Sequence, residues 1–384
     1  MISRPYAAAK RTLGIGEKLL DVNWGLVLLI TLIAGGGVAM LYSVAGGHFH
    51  PWALSQLSKF LVGLVIMVIA ASIDVRVWMS LAYPAYALAM VLLIAVDVAG
   101  HVGLGAQRWI MLGPLELQPS ELMKISLVLA LARFLHGKSV EDISKPLNLG
   151  IALAMIGLPA FFVVVEPNLG TTLIILADGC SLLFLAGLSW YWIAPALAAV
   201  ATAVPLAWRF VLHDYQKARV MTFLDPEADA LGAGWNITQA KIAIGSGGLS
   251  GKGFLNGTQS RLNFLPEKQT DFIFTNFGEE FGFVGSVALL ILFAVVIFYG
   301  LQISLSARSQ FSRLLAMGIT LNFFFYIMIN GLMVMGLIPV VGIPMPLLSY
   351  GGTAMLTVMF GFGLLMSVHV HRQVEIPRHS GGII

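Results

Sequence analysis

Charge is what this sequence has least of. Asp, Glu, Lys and Arg together make up 11% of its 384 residues, where a soluble domain carries about 25%. With 58% hydrophobic residues, that scarcity excludes a soluble globular protein. Cysteine is nearly absent: Cys180 stands alone inside an apolar run, so an intrachain disulfide is excluded. A basic excess is missing too. The formal net charge is +3 with no dense Lys/Arg patch, which gives no footing for nucleic acid. No small-residue cleavage site follows the first long apolar run, so that run reads as a retained helix and not a signal peptide.

What the chain has instead is a series of apolar runs of about 20 residues, enough to cross a bilayer as helix. Runs of that length mean helical spans and not barrel strands, because each helix satisfies its own backbone in lipid. The pattern predicts ten spans near 23–43, 53–72, 77–96, 119–136, 147–165, 171–187, 191–210, 276–302, 313–337 and 352–370. The fold class is therefore an all-α membrane protein: a polytopic bundle of ten transmembrane helices with one large extracytoplasmic loop, 211–275, between spans seven and eight. Residues 1–22 and 373–384 form cytoplasmic tails on a single unit, 23–372. Orientation follows from the excess of Lys and Arg on cytoplasmic loops. With the N-terminal tail inside, Arg4, Lys10, Arg11, Lys18, Arg76, Arg133, Lys138, Lys145, Arg308, Arg313, Arg372 and Arg378 all fall on the inner face, while the short outer loops hold only Arg108. Both termini are then cytoplasmic and the long loop faces outward.

Several polar features interrupt the apolar pattern. Gly35-Gly36-Gly37 in the first span lets another helix approach closely. Lys59 enters the second span, where a lysine can simply snorkel to the surface. The outer connector 97–118 reads as a Gly-rich re-entrant segment carrying Arg108, Trp109 and Glu116. Pro119-Ser120-Glu121 then opens the fourth span, with Pro in the first turn and the acid at the positive end of the helix dipole. Lys124 lies three residues on, on the same face. A lysine inside an apolar helix costs about 2.5–3.5 kcal/mol and needs a partner or an aqueous cavity. Glu121 is the nearest partner, in a structural ion pair or facing a substrate. Asp178, two turns into the sixth span, raises the same question.

The long loop concentrates the remaining polar character. Its stretch Gly245–Gly253 invites a phosphate-loop reading but fails on spacing: Ser246 stands where the first Gly is needed, and Gly253 where Ser or Thr must follow Lys252. Tight turns near a cleft are the better account, with a backbone cradle for pyrophosphate as a weaker one. Asp271, Thr275 and Glu279 recur every four residues, as on one face of a helix entering the eighth span. Their apolar flanks, Phe272, Ile273, Phe274, Phe277 and Phe281, disfavour the charged carboxylate and make a usable base near neutral pH. Pro339, Pro344 and Pro346 forbid a continuous helix after the ninth span.

With these motifs in view, the chain resembles the SEDS proteins (shape, elongation, division and sporulation), and within them the elongation branch. The resemblance covers nearly the whole chain. It rests on GAQRW at 105–109, QPSELMKI at 118–125, EPNLGTT at 166–172, HDYQKARV at 213–220, LDPEADALGAGW at 224–235, GSGGLSGKG at 245–253, LPEKQTDFIF at 265–274 and IPMPLLSYGG at 343–352. It implies a ten-span peptidoglycan glycosyltransferase of the cytoplasmic membrane that polymerises lipid II on the outer face during cell elongation. It implies as partners a class B penicillin-binding protein transpeptidase, rod-complex membrane proteins and membrane lipids. It assigns the family's essential acid to Asp271, its loop Arg-Trp pair to Arg108 and Trp109, and its fourth-helix pair to Glu121 and Lys124. Gln269 stands where relatives often have His, and Asn263 where some have Glu, which weakens any His relay or second acid there.

On this reading the acceptor sugar's 4-hydroxyl attacks the anomeric carbon of the lipid-pyrophosphate donor with inversion. Asp271 is its base, or a carboxylate holding a divalent cation, Mg or Mn. Arg108, Lys124, Arg219, Lys241, Lys252 and Lys268 are candidate pyrophosphate partners. Glu116, Ser120, Glu267 and Glu279 complete the expected substrate-binding set. The competing readings are a lipid II flippase and a non-catalytic scaffold for the transpeptidase.

Overall fold

The computed structural model describes residues 14–99, 101–103, 106–112, 115–166, 168–210, 214–225, 233–262, 264–265 and 267–377. Helices fall on all ten predicted spans: α2 (Trp24–Val44), α3 (Ala53–Ser72), α4 (Val75–Ala99), α5 (Pro119–His136), α7 (Pro146–Val165), α8 (Leu169–Leu185), α9 (Ile193–Phe210), α13 (Ile273–Ser306), α14 (Gln310–Val334) and α15 (Gly352–Val370). Two short helices, α1 (Ile15–Leu20) and α6 (Val140–Ile143), lie between or before them. Among the described residues seven helices, α2, α3, α4, α7, α13, α14 and α15, are long and apolar enough to cross a membrane. The protein is a multi-pass helical membrane protein.

Burial sorts the bundle into layers. α5 is buried almost all round, including Ser120, Glu121, Lys124 and Ser126. It is central although its polar residues keep its hydropathy low, because neighbours rather than lipid surround it: α4, α8 and α14 pack on it. α15 runs along α3, and α13 along α14. The outer faces of α3 and α13 present Leu57, Leu61, Val65, Ile291 and Phe298 to the lipid. Of the three glycines in α2, Gly37 makes the close approach, against the backbone of Leu347 and Leu348, while Gly35 and Gly36 face open space.

Two outer segments differ from expectation. The 97–118 connector is not a plain re-entrant loop: β1 (His101–Gly103), β2 (Ala106–Leu112) and β3 (Leu115–Leu117) form a small antiparallel meander in the order β1-β2-β3. β2 carries the strand-forming Trp109 and Ile110, and paired strands satisfy backbone groups that an open loop would leave unpaired. The 211–275 loop is largely helical, with α10 (Asp214–Leu224), α11 (Ala233–Ser246) and α12 (Thr258–Arg261).

The eighth span is broken where the glycine-rich stretch meets it. Gly282 has φ 66° and ψ −164°, which interrupts α13. The backbone groups freed there are taken up by residues 248–253: Lys252 N–H donates to Glu279 O at 3.0 Å and Gly253 N–H to Glu280 O at 2.9 Å, while Phe283 and Val284 donate to Gly248 O and Leu249 O. This corrects the pyrophosphate-cradle expectation, since the Lys252 and Gly253 amides are spent on carbonyls. Gly251, at φ +79°, lies so close to the Glu280 carbonyl that a Cβ would overlap it. Gly251→Ala should therefore destabilise the loop by about 1–3 kcal/mol through backbone strain alone. Limited proteolysis within 247–262 reads this; an unchanged cleavage rate would refute the docking role.

Candidate active site

The site is built on one tight turn, 267–272, which precedes α13. Glu267 takes φ 55°, its carbonyl accepts from Thr270 N–H at 3.1 Å, and its carboxylate folds back to accept from Thr270 Oγ1 at 3.1 Å and Gln269 Nε2 at 3.4 Å. Phe272 and Ile273 are buried and anchor the turn in the core. Three clamps then fix it, the last two of them long-range. Asn276 Nδ2 donates to Lys268 O at 3.0 Å. Asn330 Nδ2, from α14, donates to both Asp271 O at 2.9 Å and Ile343 O at 2.7 Å. Tyr350 N–H donates to Gln269 O at 2.8 Å. The turn is thus joined to the Pro-rich segment 335–351 on two sides.

Asp271 is half-buried. Its carboxylate faces Gly342: a Cβ built there would lie 3.5 Å from Asp271 Oδ2. The shared helical face expected for Asp271, Thr275 and Glu279 does not form, because α13 begins at Ile273 and Phe272 is its N-cap. Asp271 therefore stands ahead of the helix, on turn backbone, while Thr275 and Glu279 are fully buried within it. Lys268 is half-buried in the same turn, and burial pulls its ammonium below the ordinary lysine value.

Glu279 lies elsewhere. Its carboxylate accepts from Lys252 Nζ at 2.7 Å, Thr258 Oγ1 at 2.7 Å and the Thr258 and Gln259 amides. It anchors α12 and the glycine-rich segment to α13, and Lys252 is committed with it. Glu280 does the same beside it, accepting from Ser43 Oγ at 2.5 Å and Leu255 N–H at 3.2 Å. Glu267 is likewise occupied within its own turn. Lys241 packs across Gly336. The side chain of Arg219 lies outside the described residues.

The meander brings the Arg-Trp pair toward the end of α7: Arg108 Nε donates to Glu166 O at 3.0 Å, and Trp109 is half-buried. Glu116 is exposed, and its carbonyl accepts from Thr353 Oγ1 at 2.6 Å, tying β3 to the start of α15. Ser120 is fully buried, and its Oγ has no partner among the described residues.

The Glu121–Lys124 pairing predicted from sequence is present at 2.7 Å, with both side chains buried. A third member completes it. Tyr326 of α14 donates its hydroxyl to Glu121 Oε2 at 2.5 Å, accepts from Lys124 Nζ, and sets its ring 4.1 Å from the ammonium. Asp178 Oδ2 accepts from Asn322 Nδ2 at 2.6 Å on the same helix. Tyr326 also lines a narrow cleft under Pro344, Met345 and Pro346, so this network lies directly beneath the segment that Asp271 faces.

Sequence reasoning missed Asn330, Asn276, Tyr326 and Tyr350. The signal for Asn330 was present: an amide inside an apolar helix must find partners. The partners themselves were not legible. Lys59, read as a snorkelling residue, has its Nζ 3.2 Å from the Tyr350 hydroxyl.

Among the described residues no group of three His, Cys, Asp or Glu side chains is placed to hold a metal ion. Asp271 fits a cation only of the kind shared with substrate phosphates, as Mg²⁺ commonly is, with one carboxylate from the protein.

Comparison with known proteins bears on this geometry. Residues 18–374 match the family FTSW_RODA_SPOVE, described as cell cycle protein. The chain is 46% identical to the peptidoglycan glycosyltransferase MrdB of Escherichia coli (strain K12) over 357 residues, covering 92% of this chain and 95% of that protein. It is 34% identical to a probable peptidoglycan glycosyltransferase FtsW of Trichlorobacter lovleyi, covering 91% and 94%. Among solved structures it resembles a chain from a peptidoglycan synthase complex studied for the coordination of polymerization and crosslinking, with TM-score 0.79, 31% identity, and 91% and 98% coverage. It also resembles the rod shape determining protein RodA of Thermus thermophilus, with TM-score 0.69, 28% identity, and 91% and 97% coverage.

Proposed function

We infer that this chain, which belongs to the FtsW/RodA/SpoVE family of cell cycle proteins, is a peptidoglycan glycosyltransferase of the membrane, and we propose that Asp271 is its catalytic carboxylate. The observation that carries the assignment is the clamped turn: a half-buried acid held by Asn330 and Tyr350 contacts at the mouth of a membrane-entering helix, facing an irregular Pro-rich segment.

The proposed substrate is lipid II, as donor and acceptor. Asp271 takes the proton of the acceptor sugar's 4-hydroxyl as that oxygen attacks the donor's anomeric carbon. The new C–O bond forms as the bond to pyrophosphate breaks, with inversion. Pyrophosphate leaves without protonation but needs its charge held, and Lys268 in the same turn is the nearest cation to Asp271 in sequence. A divalent cation, when bound, would neutralise that leaving charge with Asp271 as its one protein carboxylate. Chelation followed by titration with Mg or Mn separates the two roles: polymer yield that follows the cation supports the ligand role, and yield independent of it supports the proton-acceptor role.

The positive-inside pattern supports an orientation with both termini cytoplasmic and the Asp271 turn at the outer, periplasmic face. The synthase-complex relative supports a class B penicillin-binding protein as partner, with rod-complex membrane proteins beyond it. Reconstituted protein with labelled lipid II tests the whole reading. Glycan chains mean polymerase. Leaflet transfer without polymer means a flippase, which the buried Glu121–Lys124–Tyr326 network would favour. Neither, with partner binding intact, means a scaffold.

Lys268 gives a pH prediction with two opposite signs. Its depressed folded value means the unfolded chain binds more protons between the folded and unfolded values, so Lys268 makes stability rise with pH across that window. Activity that needs the Lys268 cation falls across the same window. Lys268→Arg, which stays charged, should remove the alkaline loss of activity; a pH–rate profile identical to wild type would refute the role.

A further inference from the structure

α3 carries a cation that the mechanism above does not use. Ser55, Gln56 and Lys59 share one face of this helix, while Leu54, Leu57, Leu61 and Val62 face the lipid. The polar face grips residues 349–351. Gln56, fully buried, donates through Nε2 to Ser349 O at 2.8 Å and accepts from Gly351 N–H at 3.4 Å. Ser55 Oγ lies 3.4 Å from the Tyr350 hydroxyl. Lys59 is half-buried, donates to that hydroxyl at 3.2 Å and sits 4.4 Å from the ring centroid. Tyr350 in turn holds the Asp271 turn through Gln269 O. One tyrosine therefore connects a lipid-edge lysine to the catalytic turn.

Lys59 has no carboxylate partner among the described residues. A charge so close to hydrocarbon is costly unless something neutralises it, and an aromatic face does so only in part. The hydroxyl that accepts from Lys59 keeps its own proton to donate. Gly352 lies beside the ammonium, since a Cβ there would come to 3.4 Å from Nζ. Burial and the Glu116 charge work to raise the Tyr350 phenol, yet its hydrogen bonds with Ser55 and Lys59 and the Lys59 charge outweigh them and bring it down.

We propose that Lys59 and the Tyr350 hydroxyl form a subsite for a lipid-borne phosphate, entered laterally from the membrane between α3 and residues 349–352, and that it holds the pyrophosphate of a lipid-linked substrate beside the Asp271 turn. The proposal rests on the lipid II polymerase reading. Its chemistry suits a phosphate: a compact ammonium and a hydroxyl supply two donors to adjoining oxygens. An anionic phospholipid presents the same group, and the experiment must tell the two apart.

Polymerisation kinetics are measured with lipid II in phosphatidylcholine liposomes, with and without phosphatidylglycerol, for wild type, Lys59→Met, Lys59→Arg and Tyr350→Phe. Loss of a charge-assisted contact predicts a KM raised about tenfold or more for Lys59→Met, with kcat within about twofold, near-complete rescue by Lys59→Arg and a smaller KM rise for Tyr350→Phe. Binding of undecaprenyl pyrophosphate alone, which needs no turnover, should weaken about tenfold in Lys59→Met. A defect confined to phosphatidylglycerol liposomes overturns the substrate assignment in favour of a phospholipid headgroup. An unchanged KM and unchanged affinity, or a fall in kcat alone, overturns the subsite and leaves Lys59 a prop for Tyr350. Wild type that binds undecaprenyl pyrophosphate through Lys59 but makes no polymer would instead sink the polymerase reading.

Discussion

Replacing Asp271 by Asn should abolish polymerisation while the protein still folds and still binds its partner. General-base assistance is worth about 10²–10⁴-fold, or roughly 3–5 kcal/mol of barrier, and the amide cannot accept the proton. The fold should survive because the change is nearly isosteric and the Asn330 clamp reaches the main-chain oxygen of Asp271, which the substitution leaves in place. Phe272 and Ile273 continue to anchor the turn. Turnover of labelled lipid II by purified protein is the measurement, with the thermal midpoint in detergent as the control. Wild-type turnover in the variant would remove Asp271 from the chemistry. Lost turnover together with a large drop in the midpoint would make it a structural residue.

The second large effect is on stability. Glu121→Gln or Lys124→Met alone should each cost about 3–5 kcal/mol, because either leaves an uncompensated charge in a buried site. Both ionic side chains are buried, and Tyr326 serves them together. The double variant removes both charges and should recover most of the loss, since a buried pair often does little better than apolar replacements. Tyr326→Phe should couple to both positions, giving interaction energies of about 0.5–3 kcal/mol in a double-mutant cycle. Unfolding in detergent reads these four variants and the two doubles that pair Tyr326→Phe with each charge substitution. Additive losses would mean that the three residues do not act as a unit.

Much of the architecture was legible beforehand. A span needs only local apolar length, since its backbone is satisfied within the segment. The Glu121–Lys124 pair was legible for the same kind of reason, being three residues apart on one helix. Where hydropathy was a poorer guide, packing explains it: α5 carries polar groups that suit a helix enclosed by α4, α8 and α14. The meander was misread because β1 and β3 are only three residues long and β2, AQRWIML, does not alternate apolar with polar residues. Asp271 was misplaced on the helix of Thr275 and Glu279 because a four-residue spacing continues past a helix start as readily as along it.

By itself the sequence determined where the ten long apolar helices lie and placed an acid at the entrance to the eighth. Tertiary structure alone decided which of the polar residues stand near that acid. Asn330 is separated from Asp271 by 59 residues and Tyr326 from Lys124 by 202. It also decided that Glu279 and Lys252 serve the loop. Spans follow from a short-range rule, the need to bond backbone within one segment. Partners follow from which helices come to rest side by side, and no stretch of sequence contains that distance.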